Sequence, residues 1–297
     1  MMRGLTSFAV AVRKPDSEIA CETHPLPGHP QSHPWLRWPF VRGMYIIFES
    51  LSVGMKALRI SARHCLGEDE QVSGKEIGWT MGLALVIFTA IFIVAPAAAS
   101  KLGGGLIGVD GSLGQNLIEG ALRIGLFLGY ILAISFIPDI RRVFQYHGAE
   151  HKTIYAYENG DPLEPGVIDR YPTLHVRCGT NFLFIVMFFT IAVHFVMDLV
   201  LPPSIPIRIG ARVLAVPLLA GGAYEVIRGA SRNERSRLFR IASLPGLALQ
   251  KITTRPPTRD QIEVAIVAME AVMAAEGVGA APVGGPALEA RGTRESG

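Results

Sequence analysis

The sequence predicts a mainly α-helical membrane protein: a polytopic bundle of four transmembrane helices, with an amphipathic helix, a small N-terminal cytoplasmic β-hairpin and a cytoplasmic C-terminal helix. Composition is the first observation behind this prediction. Of the 297 residues, 49% are apolar and only 18% are charged, whereas soluble domains carry about 25% charged residues. The second observation is that the apolar residues cluster in stretches about as long as a bilayer is thick. The third is the distribution of Lys and Arg between these stretches.

Four apolar stretches are predicted to cross the membrane, at residues 77–99, 117–140, 182–201 and 209–227. The first contains no charged residue, and each of the others contains ionisable side chains. Glu119 and Arg123 are one helical turn apart, so we expect them to pair within the second span. His194 and Asp198 have the same spacing in the third span, and we expect them to pair as well. Residues 76–228 thus form the predicted membrane bundle.

The orientation follows from the positive charges in the connecting segments. Residues 1–75 hold nine Lys and Arg, residues 141–181 hold five and residues 228–259 hold eight. The two remaining connections hold one each, Lys101 and Arg208. Because segments rich in Lys and Arg stay in the cytoplasm, we expect both termini and the 141–181 loop to be cytoplasmic.

The N-terminal segment, residues 1–75, is predicted to hold three elements. Residues 5–13 read as a β-strand, and residues 18–20 begin a return strand after a Pro-Asp-Ser turn. Residues 24–39 contain five prolines and three histidines, which predicts an extended loop. Residues 41–66 have helical periodicity interrupted by charges, which predicts an amphipathic helix that either lies at the membrane interface or packs on the bundle.

The C-terminal segment, residues 229–276, is predicted to be cytoplasmic and helical. Thr258 followed by Gln261 is a capping-box pattern that begins a helix over residues 259–276. We expect this helix to be docked, because its apolar face would otherwise be exposed; that face comprises Ile262, Ala265, Ile266, Met269, Val272 and Met273. Residues 277–297 are rich in Gly, Ala and Pro, which predicts a disordered tail.

Composition also restricts the partners. The formal net charge is only +3, and the basic residues are scattered, so nucleic acid is not an expected partner. Cys21, Cys65 and Cys178 are far apart and odd in number, which is not the pattern of a disulfide framework. The expected partners are therefore the lipid bilayer and other membrane proteins.

The motif with the clearest chemistry lies in the 141–181 loop. His147, Glu150 and His151 form a His-x-x-Glu-His pattern, the inverted zincin motif. On a helix, the two histidines lie one turn apart and can share a metal ion, with Glu150 as a general base. The alternative is a polar helix end at which the imidazoles favour the helix dipole.

A second polar cluster occupies residues 171–181. His175 and Cys178 are spaced like metal ligands, and either supplies the third ligand that a catalytic zinc site needs. Arg177 and Asn181 are candidates for binding substrate charge. The alternative is a segment that only caps the next helix, through Asn181 or its neighbour Thr180.

Glu225 is a further candidate at the cytoplasmic end of the fourth span. It is expected at the same depth as His147 and His175, so it is either a metal ligand or a residue that supports one. The alternative is an ion pair with Arg228. Together these residues predict a divalent metal cofactor, most favourably zinc.

Several segments resemble a bacterial family, domain of unknown function 1385, whose members are often labelled predicted metal-dependent enzymes. These segments are residues 1–4, 147–153, 175–180, 224–225 and 249–254. The resemblance implies a multi-pass inner-membrane protein in which His147, Glu150, His151, His175 and Cys178 belong to the family's motifs. Members usually carry a short segment with Gly and Glu before Met-Met-Arg-Gly, so we expect the natural chain to begin upstream of Met1 or to lack a strand there.

Two functions are consistent with the sequence. The first is a metal-dependent, hydrolase-like enzyme with a site that faces the cytoplasm. The second is a non-catalytic scaffold or membrane-protein assembly factor, in which the polar motifs only shape a docking surface. Bound metal would favour the first, and co-purifying partners without metal would favour the second. The sequence does not indicate a substrate, a reaction or an oligomeric state.

Overall fold

A computed structural model describes residues 1–26, 38–66, 74–106, 112–176, 178–201, 204–231 and 236–278. The chain is mainly α-helical with a small antiparallel sheet at its N-terminus, as the sequence predicts. Most of the predicted Pro-rich loop and of the predicted C-terminal tail lies outside the described residues, and so does Arg177.

The sheet has three strands in the order β1 (Met2–Arg3), β2 (Ser7–Arg13) and β3 (Ile19–Pro25). Strands β2 and β3 form the predicted hairpin, paired along the whole of β2. Two features differ from the prediction. Strand β3 continues to Pro25, into the stretch expected to be loop, because each residue of β2 takes a partner across the ladder. Strand β1 was not predicted, since two residues are too few to show a periodic pattern.

Two helices cover the two faces of the sheet. Helix α1 (Val41–Leu66) has the predicted bounds, and its Val53 and Ile60 pack against Phe8, Val10 and Val12 of β2. The alternate residues of β2 point to the opposite face, where Ala9 packs against the C-terminal helix. The sheet is therefore the middle layer between these two helices.

The C-terminal helix, α10 (Arg259–Ala275), is docked as predicted. It packs between the sheet and helix α5 (Pro138–Asn159), and all six residues of its predicted apolar face are buried. The predicted cap is formed, with the Thr258 N–H donating to Gln261 Oε1 at 2.9 Å.

Within the part of the chain that the structure describes, two of the four predicted spans are helices long and apolar enough to cross a membrane, Gly78–Ser100 and Gly114–Ile134. The first lies in α2 (Gly74–Thr89), a π-helical turn (Ala90–Val94) and α3 (Ala95–Leu106), and the second lies in α4 (Ser112–Ile134). Only 11% and 17% of these windows is buried. The core helix of a soluble protein would be mostly buried.

The second predicted span differs at its end. It was expected to reach residue 140, but α4 ends at Ile134 and a new helix, α5, begins at Pro138. The reason is local, because proline has no N–H to donate to the preceding turn and favours the first position of a helix. Helix α6 (Pro165–Ile168) follows α5.

Three more helices complete the part of the chain that the structure describes: α7 (Thr180–Val200), α8 (Ile205–Ser231) and α9 (Arg237–Thr253). Helix α7 contains an apolar stretch, Phe182–Met197, that is shorter than the two candidate spans. Helix α9 packs on α7, where Leu249 contacts Phe184 and Met187.

A buried polar network joins the apolar helices. The expected pair of Glu119 and Arg123 is formed at 2.7 Å, and Arg212 of α8 donates to the same Glu119 oxygen at 2.8 Å. Arg123 also donates to the carbonyl of Phe92 in the π-helical turn at 3.0 Å. Neither ring nitrogen of the buried His194 has a hydrogen-bond partner among the described residues, and the side chain of Asp198, its expected partner, lies outside the described part of the chain.

The chain between α9 and α10 crosses α5 in direct backbone contact. A Cβ atom added to Gly148 would lie 2.2 Å from the Arg255 carbonyl oxygen, far inside van der Waals contact. Beside it, the Arg255 N–H donates to the Phe144 carbonyl of α5 at 2.9 Å. A glycine in the middle of α5 therefore permits the crossing, although glycine is a poor helix former.

We expect Gly148→Ala to destabilise the protein by up to about 2 kcal/mol. Overpacking a tight contact costs about 1–3 kcal/mol, and alanine returns about 1 kcal/mol of this in a helix interior. Thermal unfolding of the detergent-solubilised protein measures the difference. Gly166→Ala is the matched control, because an added Cβ there meets nothing within 4 Å. Equal melting temperatures for the two variants would contradict the proposed role of Gly148.

Candidate metal centre

Three side chains with metal-binding atoms converge beside the middle of α5. His147 and His151 lie one turn apart on this helix, with ring centroids 4.3 Å apart. Cys178, which comes just before α7, places its Sγ 3.2 Å from His147 Nε2. One ligand atom from each of the three lies within 4.8 Å of the others. The group could therefore hold a metal ion.

Backbone carbonyls select the tautomers of both histidines. His147 Nδ1 lies 2.9 Å from the Thr253 carbonyl oxygen, and His151 Nδ1 lies 2.5 Å from that of Thr173. A carbonyl can only accept, so each Nδ1 carries the proton and donates it. Each Nε2 is then the ligating nitrogen, which is the arrangement typical of metal-binding histidines.

The surroundings of Cys178 favour its thiolate. Burial of the thiol opposes ionisation, but hydrogen bonds from His147, His151 and Thr180 outweigh it and lower the pKa of Cys178 to about 5. Burial likewise disfavours the charged form of His147, yet the hydrogen bond and charge of Cys178, the Thr253 carbonyl and the charge of Glu150 raise its pKa. Without metal, the two groups thus favour an imidazolium–thiolate pair, and a metal would take the place of the shared proton.

His175 lies beside this triad and has a different role. Its backbone N–H donates to Gln250 Oε1 at 2.8 Å, and Gln250 Nε2 donates to its carbonyl at 2.9 Å. Its ring packs on Tyr155, with centroids 4.5 Å apart, and its Nε2 lies 3.4 Å from Glu158 Oε2. The fully buried Gln250 amide therefore fastens the loop that carries Cys178 to helix α9.

A second contact attaches the loop that carries Cys178 to α5. Lys152 Nζ donates to both the carbonyl and the carboxylate of Asp169, at 2.6 and 2.7 Å. The ammonium caps the end of the short helix α6, where carbonyls have no partner within the helix. The loop is thus attached to α5 by Lys152 and to α9 by Gln250, and these attachments position Cys178.

Among the described residues, neither Glu150 nor Glu225 contributes an atom to this triad, and the side chains of Arg177 and Asn181 lie outside the described part of the chain. The Glu150 carboxylate lies 2.6 Å from the amino group of Met1. Glu225 forms a bidentate ion pair with Arg42 of α1, and the charge of Arg228, the partner expected from the sequence, also acts on the Glu225 carboxylate. Asn181 lies in the first turn of α7.

Gln250, Thr253 and Thr173 are parts of the site that the motif search did not single out. Thr253 and Thr173 act through their backbone carbonyls, and Gln250 binds the backbone of His175 through its side-chain amide, so none of these side chains indicates a metal. The one available signal was the segment Leu249–Thr254, which the family resemblance includes but to which no role was assigned.

Comparison with known proteins agrees with the resemblance seen in the motifs. The family described as Protein of unknown function (DUF1385) matches residues 38–275. The uncharacterized protein YqhQ of Bacillus subtilis (strain 168) is 32% identical over 281 residues, which cover 90% of this chain and 86% of that protein. No solved structure matches the chain.

We expect Cys178 to titrate near pH 5 in chelator-treated protein, far below the value of about 8.5 for a free thiol. The rate of alkylation by iodoacetamide as a function of pH, in a Cys21→Ser, Cys65→Ser background, measures this pKa. Removing the hydrogen-bond donor with His147→Ala should raise the midpoint by at least about 1 unit. His64→Ala, far from the site, should leave it unchanged. A wild-type midpoint near that of a free thiol would disprove the pairing.

Proposed function

Since the chain belongs to the family described as Protein of unknown function (DUF1385), we propose its function from the site itself. We propose a multi-pass membrane protein with a metal-dependent, hydrolase-like site at the cytoplasmic membrane surface. The observation that carries this proposal is the triad of His147, His151 and Cys178, whose two Nδ1 atoms are already engaged by backbone carbonyls.

The donor set favours zinc. Two imidazole nitrogens and one thiolate suit this borderline-soft ion, and three protein ligands leave the fourth tetrahedral position open, as in catalytic zinc sites. When bound, the metal would supply Lewis-acid chemistry. The lowered pKa of Cys178 means that the thiolate form, which metals require, is present at neutral pH.

The surrounding residues have proposed roles in binding and proton transfer. Glu150 is the acid–base candidate, because it lies on α5 beside both histidines and its carboxylate is partly exposed. Arg177 and Asn181 flank Cys178 in sequence and are proposed to bind negative charge on the substrate. His175 is proposed to position Cys178 rather than to ligate, since its backbone is clamped by Gln250.

We propose that α7 and α8 cross the membrane together with the two candidate spans. Both carry large apolar side chains that are exposed, which lipid would cover: Leu183, Phe188, Val196, Leu199, Val200, Ile207, Val213, Leu214, Leu218 and Val226. The network of Glu119, Arg123 and Arg212 supports the packing of α8 against α4. With four spans, the Lys and Arg distribution puts both termini in the cytoplasm of a bacterial inner-membrane protein.

This topology places the site at the membrane surface. Cys178 comes two residues before α7, and Leu249, next to Gln250, packs against Phe184 within α7. The cytoplasmic layer made by the sheet, α1, α10 and α5 would then cover the cytoplasmic end of the bundle. A substrate could approach from the cytoplasm or from the inner leaflet.

We expect purified wild-type protein to contain stoichiometric zinc, measured by inductively coupled plasma mass spectrometry. His147→Ala combined with His151→Ala should abolish this zinc, and Cys178→Ser should reduce it by at least about 10-fold, because each loses a ligand. Glu150→Gln should retain the metal, since Glu150 is not one of the converging ligands.

His64→Ala and Cys65→Ser are the matched controls, because they change the same residue types outside the site and should leave the zinc content unchanged. Wild-type protein without metal, especially with proteins that co-purify, would instead favour the non-catalytic scaffold.

We expect the four-span topology to show in cysteine labelling of intact spheroplasts with a membrane-impermeant maleimide, after replacement of Cys21, Cys65 and Cys178 by serine. Ser204→Cys, between α7 and α8, should react, because the Lys and Arg bias puts this turn outside. Gly166→Cys, exposed in α6, should react only after the membrane is permeabilised. Labelling of Gly166→Cys in intact spheroplasts would overturn the orientation.

A further inference from the structure

Helix α1 carries an apolar stripe on the side that faces away from the sheet. Met44, Phe48, Leu51, Met55 and Leu58 are spaced by four, three, four and three residues, which places them along one face of a helix. Phe48 is 72% exposed, Leu51 54% and Leu58 65%. The face that packs on the sheet is the opposite one, about 180° around the helix at 3.6 residues per turn. Helix α1 is therefore apolar on both sides.

The start of α1 is fastened to α8. Arg42 forms its bidentate ion pair with Glu225, and a Cβ atom on Gly43 would lie 2.8 Å from the Gly221 carbonyl oxygen. Glycines on both helices therefore permit close backbone packing. In the proposed topology, Glu225 lies at the cytoplasmic end of the fourth span, so the first turn of α1 lies at the membrane surface.

The end of α1 is also held near the membrane. Helix α1 has 26 residues and is about 39 Å long at 1.5 Å per residue. Leu66 is only eight residues before Gly74, where α2 begins, and eight residues reach at most about 29 Å. An upright α1 would carry Leu66 too far from the bilayer for α2 to enter it. The helix therefore cannot stand upright on the membrane, and its end lies within about 29 Å of the start of α2.

The charges at the edge of the stripe match an anionic lipid surface. Lys56, Arg59 and Arg63 are exposed along one flank of α1, between the stripe and the sheet-facing side. Arg63 also pairs with Glu22 of β3, and Lys56 lies over the Phe8 ring, so Arg59, the one nearest the stripe, is best placed to meet lipid headgroups. Trp38, 67% exposed, precedes the first turn. Basic side chains beside an apolar face, with a nearby aromatic residue, are typical of helices that lie in the headgroup region of the cytoplasmic leaflet.

We propose that α1 is an interfacial helix whose stripe of Met44, Phe48, Leu51, Met55 and Leu58 is embedded in the cytoplasmic leaflet. The inference rests on the proposed four-span topology, through the position of Glu225. The sheet and α10 are stacked above α1 on its cytoplasmic side, and α10 packs against α5, which carries the two histidines. The lipid surface thus fixes the height of the metal centre above the membrane.

Spin-label accessibility in liposomes that contain anionic lipid tests this inference. Nitroxides are attached at Leu51→Cys or Leu58→Cys in protein whose three native cysteines are replaced by serine. Relaxation by oxygen, which concentrates in lipid, should exceed relaxation by a water-soluble nickel chelate at both positions. Asp16→Cys, in the exposed β2–β3 turn, is the control and should show the reverse.

Two results would overturn the inference. Stripe labels as accessible to nickel as the Asp16 label would place the stripe in water, and labels shielded from both reagents would place it under protein, such as a second copy of the chain. Tryptophan fluorescence gives a second measurement, in protein that keeps all three cysteines. Leu51→Trp is introduced after Trp35, Trp38 and Trp79 have been replaced by phenylalanine, and brominated lipids should quench the fluorescence of this tryptophan. Labelling of Ser204→Cys and Gly166→Cys tests the four-span topology independently of α1. A failure of the proposed topology can therefore be distinguished from a failure of the proposed position of α1.

Discussion

The backbone contact between Arg255 and helix α5 at Gly148 is the constraint on which the packing of the N-terminal sheet, α5 and α10 depends. Because Gly148 has no side chain, the chain between α9 and α10 can cross α5 at backbone distance. The crossing presents the Thr253 carbonyl to His147. It also directs α10 onto the free face of the sheet, where its apolar side is buried. One residue without a side chain thus joins the N-terminal sheet, the histidine helix and the C-terminal helix.

The electrostatics of the site follow from this arrangement. Two carbonyls hold the Nδ1 protons of His147 and His151, so both Nε2 atoms are left for Cys178 or a metal. The thiolate is stabilised by the same histidines and by Thr180 at the start of α7. A proton and a metal compete for the same three atoms, and no neighbouring carboxylate joins them among the described residues. One thiolate and two neutral imidazoles together carry a single negative charge, so they would only partly neutralise a divalent ion.

The apolar helices are held together by a buried ion-pair network. Their outward surfaces are apolar and exposed, and in lipid such surfaces provide little drive for one helix to pack on another. Polar contacts supply the missing attraction between the helices. Glu119 binds both Arg123 and Arg212, and Arg123 donates to a carbonyl of the π-helical turn. A charged group in this interior is costly unless it is paired, so the network specifies how α4, α8 and the first apolar helix fit together. The site at the start of α7 depends on that fit.

The sequence alone determined the features that arise from neighbours along the chain. Helices α1 and α10 begin and end within a residue of the predicted positions, because periodicity and the Thr258 cap act over three or four residues. The spacing of His147 and His151 likewise placed both on one helical face. Only the tertiary structure decided that Cys178 rather than His175 completes the triad, and that Glu225 binds Arg42, 183 residues away. These contacts depend on the crossing at Gly148 and on the packing of α9, and no local pattern encodes which distant segments meet when they pack.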